Sequence, residues 1–295
     1  MWVSALVTSV VFVPLIAYLV YARAQRPQED EGADASTQVS LVDRTLEVAR
    51  RVHPSCTFER KDELTILAEC DDGTSLQLNL DNLAAQTKGA SKADRDVAIE
   101  RYVAVFRPGE PDPDAETIRA NLVPVVRPTS MERCPPGTEP EQCPPAYPLA
   151  GDLAVLYAVD RPDSMVYAPQ QTLEGIAPDE ASLRALAVGN LEARLPPVEL
   201  LGDGAVRLLA AGGNFESSLL LVPGLWDDIG FEGDPLAVVL ARDLVLVADS
   251  AAPKALEEIR AAVEAASSKL EVVFSTTILR RSKGTWLVHD AAGGR

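Results

Sequence analysis

Residues 236–248 read LAVVLARDLVLVA: two runs of aliphatic residues broken by Arg242-Asp243. Such runs, each bounded by a short polar break, read as two strands meeting at a turn. The surrounding sequence repeats the theme. Leu153–Val159 is apolar at every position and reads as an interior strand. Val206–Ala210 and Glu216–Val222 flank the turn Gly212-Gly213-Asn214, and Ile278–Arg281 and Thr285–His289 flank Ser282-Lys283-Gly284. Between these strands lie helical patterns. Pro178–Arg194 carries Leu183, Leu186, Ala187 and Leu191 on one face, and a second helix begins at Pro253 with Leu256, Ile259 and Val263 inward.

Working toward the N-terminus, 128–148 holds seven prolines, and so reads as an exposed connection and a subdomain boundary. Before it, Leu122–Arg127 (LVPVVR) is extended, and Pro124 marks it as an edge or irregular strand. Ser91-Lys92-Ala93-Asp94 fits a capping box opening a helix with Ile99, Val103 and Phe106 inward. Three short strands are expected at Cys56–Arg60, Leu64–Cys70 and Ser75–Leu80. Ser40-Leu41-Val42-Asp43 caps a further helix whose face is Val42, Leu46, Ala49 and Val52. The fold class is therefore α+β, with mixed or antiparallel sheets and packed helices. The stretch DGTSLQLNLDNL echoes GGNFESSLLLVPGL, which would suit two halves built alike.

The first residues add a different element. Trp2 to Tyr21 is a run of 20 uncharged residues followed by Arg23 and Arg26. At helical rise such a run spans about 30 Å, the hydrocarbon thickness of a bilayer. It is read as one N-terminal transmembrane helix rather than a cleaved signal peptide, because no Lys or Arg precedes it. Residues 2–21 would then be the membrane partner of a single-pass protein of the bacterial cytoplasmic membrane. The arginines after the helix place the main domain in the cytoplasm. The organisation expected is an anchor at 1–22, a flexible linker at 23–40, an α+β subdomain at 41–127, a Pro/Cys-rich loop at 128–149 and a second α+β subdomain at 150–295.

The cysteines pull the other way. Cys56 with Cys70, and Cys134 with Cys143, are two close pairs. They read either as two disulfides, which need an oxidising compartment on the outer face, or as four reduced thiols. Irregular spacing, the absence of Cys-x-x-Cys and a total of two histidines speak against zinc, and no cofactor is expected. The net charge of −17 makes nucleic acid an improbable partner.

Chemical motifs are missing. There is no phosphate-cradling G-x-x-x-x-G-K-[ST], no dinucleotide G-x-G-x-x-G, no G-x-S-x-G and no H-E-x-x-H. The residues that stand out are polar groups in apolar settings. Asn190 lies seven positions after Leu183, on the same helix face, where an amide needs partners. It either pins neighbouring backbone or lines a cleft. Arg242 and Asp243 form an exposed turn or grip an anion. Asp160 ends the interior strand, Asn214 supplies turn geometry, and Glu216 would join Asp160 and Arg242 in a polar cluster.

The segments DLAVLYAVDRPDSMVY (152–167), LAVGNL (186–191), GGNFESSLLL (212–221) and ARDLVLVAD (241–249) resemble the bacterial YtpQ-like family. The likeness runs from about residue 41 to 288. It implies an α+β cytoplasmic domain without an established activity, to which the membrane helix and the 128–148 insert are additions. A binding or scaffold module is the expected function. The alternative is an unrecognised hydrolase or transferase using Asp160, Glu216, Arg242 and Asp243, which requires those four to converge at hydrogen-bond reach.

Overall fold

The computed structural model describes residues 40–289, apart from 63, 74, 81, 82, 85, 86, 88, 107–112, 132, 133, 135–138, 162–164 and 271. The chain divides into two compact units between Pro113 and Asp114. The expected boundary at 128–149 is thereby corrected: the short helix and the strand that precede this loop belong with everything after it.

The first unit begins with α1 (Leu41–Val52), where the Ser40 hydroxyl accepts the Asp43 N–H at 3.1 Å. That bond satisfies one of the orphan donors of the first turn. A three-stranded antiparallel meander follows, β1 (Cys56–Arg60), β2 (Thr65–Cys70) and β3 (Ser75–Asn79). In β1 the alternation puts Cys56 and Phe58 inward, with Thr57 and Glu59 outward. Cys56 stands directly opposite Cys70, and the two are joined by a disulfide. Helix α2 (Lys92–Ala104), capped by Ser91 as the sequence implies, completes the layer. Its Ile99 and Val103 pack with Val42 and Ala49 of α1 and with Phe58, Ile66 and Ala68 of the sheet. Val52, expected inward, is exposed at the end of α1.

The second unit holds two antiparallel sheets around one core. Helix α3 (Ala115–Asn121) runs straight into β4 (Leu122–Pro128). Strand β6 (Leu153–Asp160) is central to the smaller sheet. It pairs with β4 on one side, and with β5 (Tyr147–Ala150) and then β7 (Met165–Tyr167) along the other. Helices α4 (Gln170–Ile176) and α5 (Glu180–Glu192) follow. The larger sheet has six strands in the order β13-β12-β10-β11-β9-β8. These are β8 (Glu199–Leu201), β9 (Val206–Ala210), β10 (Pro235–Ala241), β11 (Leu244–Asp249), β12 (Leu279–Ser282) and β13 (Thr285–Val288). Strands β10 and β11 are buried almost throughout, as two interior strands must be. One face of this sheet is covered by α7 (Ala255–Ser267) through Ile259, Ala262, Val263 and Ala266. The other face shares a core with the smaller sheet and α5: Leu209, Val239, Val245 and Trp286 with Val126, Val155 and Tyr157 of the sheet and Leu191 of the helix.

Running through that shared core is a 3-10 helix, Glu216–Leu221, buried at all six positions. The sequence reads this segment as a strand, and the structure corrects it. An apolar run of this length fits a buried strand or a buried helical turn equally well, so periodicity cannot separate them. Its last carbonyls are satisfied by indoles. Trp226, on α6 (Pro223–Asp228), donates to Leu219 O at 2.9 Å, and Trp286 donates to Leu220 O at 2.8 Å. The two rings meet edge to face at 4.8 Å.

The echo between the halves also fails here, because SLQLN is strand β3 whereas ESSLLL is helical. The units are not built alike: one is a three-stranded layer, the other a pair of sheets. The Pro/Cys-rich segment is not simply an exposed connection. Cys134 and Cys143 are disulfide-bonded, Pro144 is buried, and Met131 and Ala146 pack on Val125, Ala154, Leu156 and Ala158. These last four form the second face of the smaller sheet.

All described ladders are antiparallel, so the fold is α+β. The expected transmembrane helix is the part of the fold class that is corrected. Among the described residues no helix is long and apolar enough to cross a membrane, and residues 2–21 lie outside them.

Candidate functional site

Asn190 sits on α5, and its amide N–H groups donate to Arg119 O and Leu122 O, both at 2.8 Å. One turn later Arg194 donates to Ala120 O at 2.7 Å, to the Asn121 side chain at 2.8 Å and to Asn190 O at 2.8 Å. The last carbonyls of α3 have no partners within their own helix, and these two side chains supply them. Of the two readings of Asn190, pinning backbone is the one that the geometry matches.

Asp160 ends β6 with its carboxylate 3.8 Å from Arg194 Nε. Burial pushes its carboxyl up, and the Arg194 charge opposes that shift. Asp160 is thus tied to the cluster that closes α3.

Glu216 lies elsewhere. Its side chain is almost completely buried, and Oε1 accepts the N–H groups of Ala211 at 2.8 Å and Gly213 at 2.6 Å. It holds the turn in which Gly212 and Gly213 adopt positive φ, a conformation that glycine reaches without strain. Asn214 is exposed in the same turn. Among the described residues, Glu216 Oε2 is the buried side-chain polar atom left without a partner. Arg242 and Asp243 are half-buried in the β10–β11 turn. Arg242 O accepts the N–H of Ser217 at 3.0 Å, which brings this turn beside the start of the 3-10 helix.

The four residues of the enzyme alternative therefore fall into two groups. The Ser217 hydroxyl reaches Val126 O, and Val126 pairs with Val155. From Val155 to Asp160 is five residues of extended strand, about 17 Å at the usual rise. Glu216 and Arg242 are neighbours at one end of β6, and Asp160 is at the other. Side-chain reach does not close that gap to the distance of a proton transfer.

A second cluster was not apparent in the sequence. The Tyr157 ring is fully buried, and its hydroxyl donates to Glu180 Oε1 at 3.1 Å; Arg184 Nε also donates there, at 2.7 Å. Burial first, and then the Glu180 charge, push the Tyr157 hydroxyl well up. This is the partner that a buried phenol requires. Among the described residues no group of His, Cys, Asp and Glu is placed to hold a metal ion.

Arg127 belongs to no sequence motif. It is 8% exposed on β4, and Nε donates to the Tyr167 hydroxyl at 2.9 Å. Its one signal in the sequence is a charge at the end of an apolar strand. No protein-family model matches the chain, and neither a curated protein nor a solved structure matches it.

Proposed function

We propose that this chain is a binding or scaffold module, with its folded part in an oxidising compartment. The observation that carries the first half is the spacing along β6. Asp160 lies about 17 Å of strand away from the site of Glu216 and Arg242. Asn190, Arg194 and the Oε1 atom of Glu216 each bond backbone groups of their own unit. The YtpQ-like resemblance adds no activity to this reading, and the cytoplasmic setting that it implies is the opposite of the compartment proposed. The compartment rests on the cysteines, since both pairs are bonded and no cysteine is free.

Two measurements test the proposal. The purified full chain is assayed with ester, phosphate and glycoside substrates, alongside Asp160→Asn and Glu216→Gln. No turnover attributable to either carboxylate is expected. Turnover that Asp160→Asn removes while the melting temperature stays unchanged would refute the module reading. In the second, protein from its native cells is alkylated before and after reduction and weighed intact. Adducts on the four cysteines without reductant would overturn the compartment.

A further inference from the structure

Four cysteines allow three pairings, and the structure holds the sequential one: Cys56 with Cys70, and Cys134 with Cys143. No cysteine is left free. The bridged residues are 14 and 9 apart in sequence. Each bridge also lies inside one compact unit, the first before Pro113 and the second after Asp114. Both pairs are therefore local, and neither bridge joins one unit to the other.

The chain favours these pairs before any packing. Loop-closure entropy rises with loop length. The shortest of the alternative pairs, Cys70 with Cys134, closes a loop more than four times longer than the 14-residue one. The unfolded chain should thus favour each native pair by about tenfold or more. Local structure adds to this preference. The β1–β2 hairpin sets Cys56 directly opposite Cys70, and Asp71 N–H donates to Ser55 O at 3.0 Å beside them. A hairpin forms in about 1–10 μs, far faster than a disulfide. At the second bridge the turn Pro140–Gln142 leads into Cys143, whose N–H donates to Pro140 O at 3.1 Å.

Folding then closes access. Cys56 is 8% exposed and packs in one core with Phe58, Ile66 and Val103. Exchange requires a thiolate to reach the sulfur, so the correct partner has to be in place before that core forms. Synthesis separates the pairs in time as well. At about 5–20 residues per second, about 3–13 s pass between Cys70 and Cys134. Disulfides form in seconds to hours depending on the oxidant, so closing the first bridge within that interval calls for an efficient one.

We propose that this chain is the substrate of a dithiol–disulfide oxidase, which pairs the cysteines in their order along the chain with no disulfide isomerase needed. In each round one cysteine thiolate attacks the oxidase's own disulfide, and the second cysteine displaces the oxidase sulfur. One S–S bond breaks in the oxidase and one forms in this chain. The two thiols lose two hydrogens and two electrons, and the oxidase gains them as its dithiol. This inference rests on the oxidising compartment and names the reaction that the compartment must supply.

The test starts from the full chain, reduced in denaturant and diluted into native buffer with an oxidised dithiol oxidase. Pairings are mapped by mass spectrometry of the peptides. The two native bridges are expected, with pairs between the units below about one-tenth of the total. A larger share of such pairs, or a native fraction that rises when an isomerase is added, overturns the proposal. In the double variant Cys134→Ser with Cys143→Ser, the Cys56–Cys70 bridge should form at the parent rate; a rate lowered more than about twofold overturns the independence of the pairs. Exported chains arrested before Cys134 is made should already carry the first bridge, and reduced thiols on them overturn the order. Free thiols on protein from native cells refute the compartment reading, and the oxidase with it. Scrambled pairs in the refolded chain refute the pairing order and leave the compartment untouched.

Discussion

Replacing Asn190 tests whether this amide closes the end of α3. Its two N–H groups hold Arg119 O and Leu122 O, each at 2.8 Å. Asn190→Ala strands two carbonyls, one solvent-accessible and one beside the fully buried Leu122. At about 1 kcal/mol net for each hydrogen bond, the loss should be about 2 kcal/mol. Asn190→Asp is the sharper variant, since it places an acceptor oxygen against two acceptor oxygens. It should be less stable than the alanine variant by roughly 1 kcal/mol, even with Arg194 close by to attract the new charge. Urea unfolding followed by tryptophan fluorescence reports this directly, because Trp226 and Trp286 belong to the same unit and touch each other. An alanine variant within about 0.5 kcal/mol of the parent, the range of an ordinary surface change, would refute the reasoning. So would an aspartate variant as stable as the alanine one.

Other outcomes follow from single sites. Gly233→Ala would put a Cβ 2.7 Å from the Ala251 nitrogen and 2.9 Å from Asp249 Oδ1; the backbone atom cannot swing away. The cost should be about 1–3 kcal/mol, seen as a melting temperature lowered by roughly 3–8 °C. Burial raises the Asp249 carboxyl, but the N–H groups of Ala251, Glu232 and Gly233 outweigh it and hold the group below its ordinary value of 3.8. Its stabilisation is therefore complete above pH 3.8 and is lost as pH falls through the depressed folded value, so Asp249→Asn should flatten the stability profile in that window. The cysteines of each disulfide are 14 and 9 residues apart in sequence, and removing either bridge should lower stability by about 3 kcal/mol in urea melts. Equal stability with and without reductant would contradict this.

The parts of the fold that the sequence announces are those governed by local chemistry. Ser40 and Ser91 cap helices where the boxes say they should, and the β12–β13 hairpin turns at Ser282-Lys283-Gly284 with Lys283 and Gly284 at positive φ. Pro124 does lie on an edge strand, because a residue without an N–H fits where no ladder bond is needed. What escaped was decided by tertiary context. The 3-10 helix and the short strands β5, β7 and β8 carry no periodicity long enough to read. Arg127 looked like a strand terminus, since its meaning comes from Tyr167 and Phe274, which are 40 or more residues away in sequence. Asn190 was legible as an amide needing partners, but the identity of those partners was not. Asp160, Glu216 and Arg242 looked alike as polar residues at element ends, and only strand pairing separates them.

The free side of β4 has a consequence for self-association. An unpaired strand edge normally invites another strand, from a second copy or a stray peptide, to extend the sheet. Here Leu122 O is taken by Asn190, Val126 O by Arg127 and Ser217, and between them Pro124 has no hydrogen to offer. An arriving chain would find acceptors occupied and a donor missing at the register where pairing must begin. The smaller sheet is finished on that side by side chains rather than by another strand, so β4 does not act as a template for aggregation.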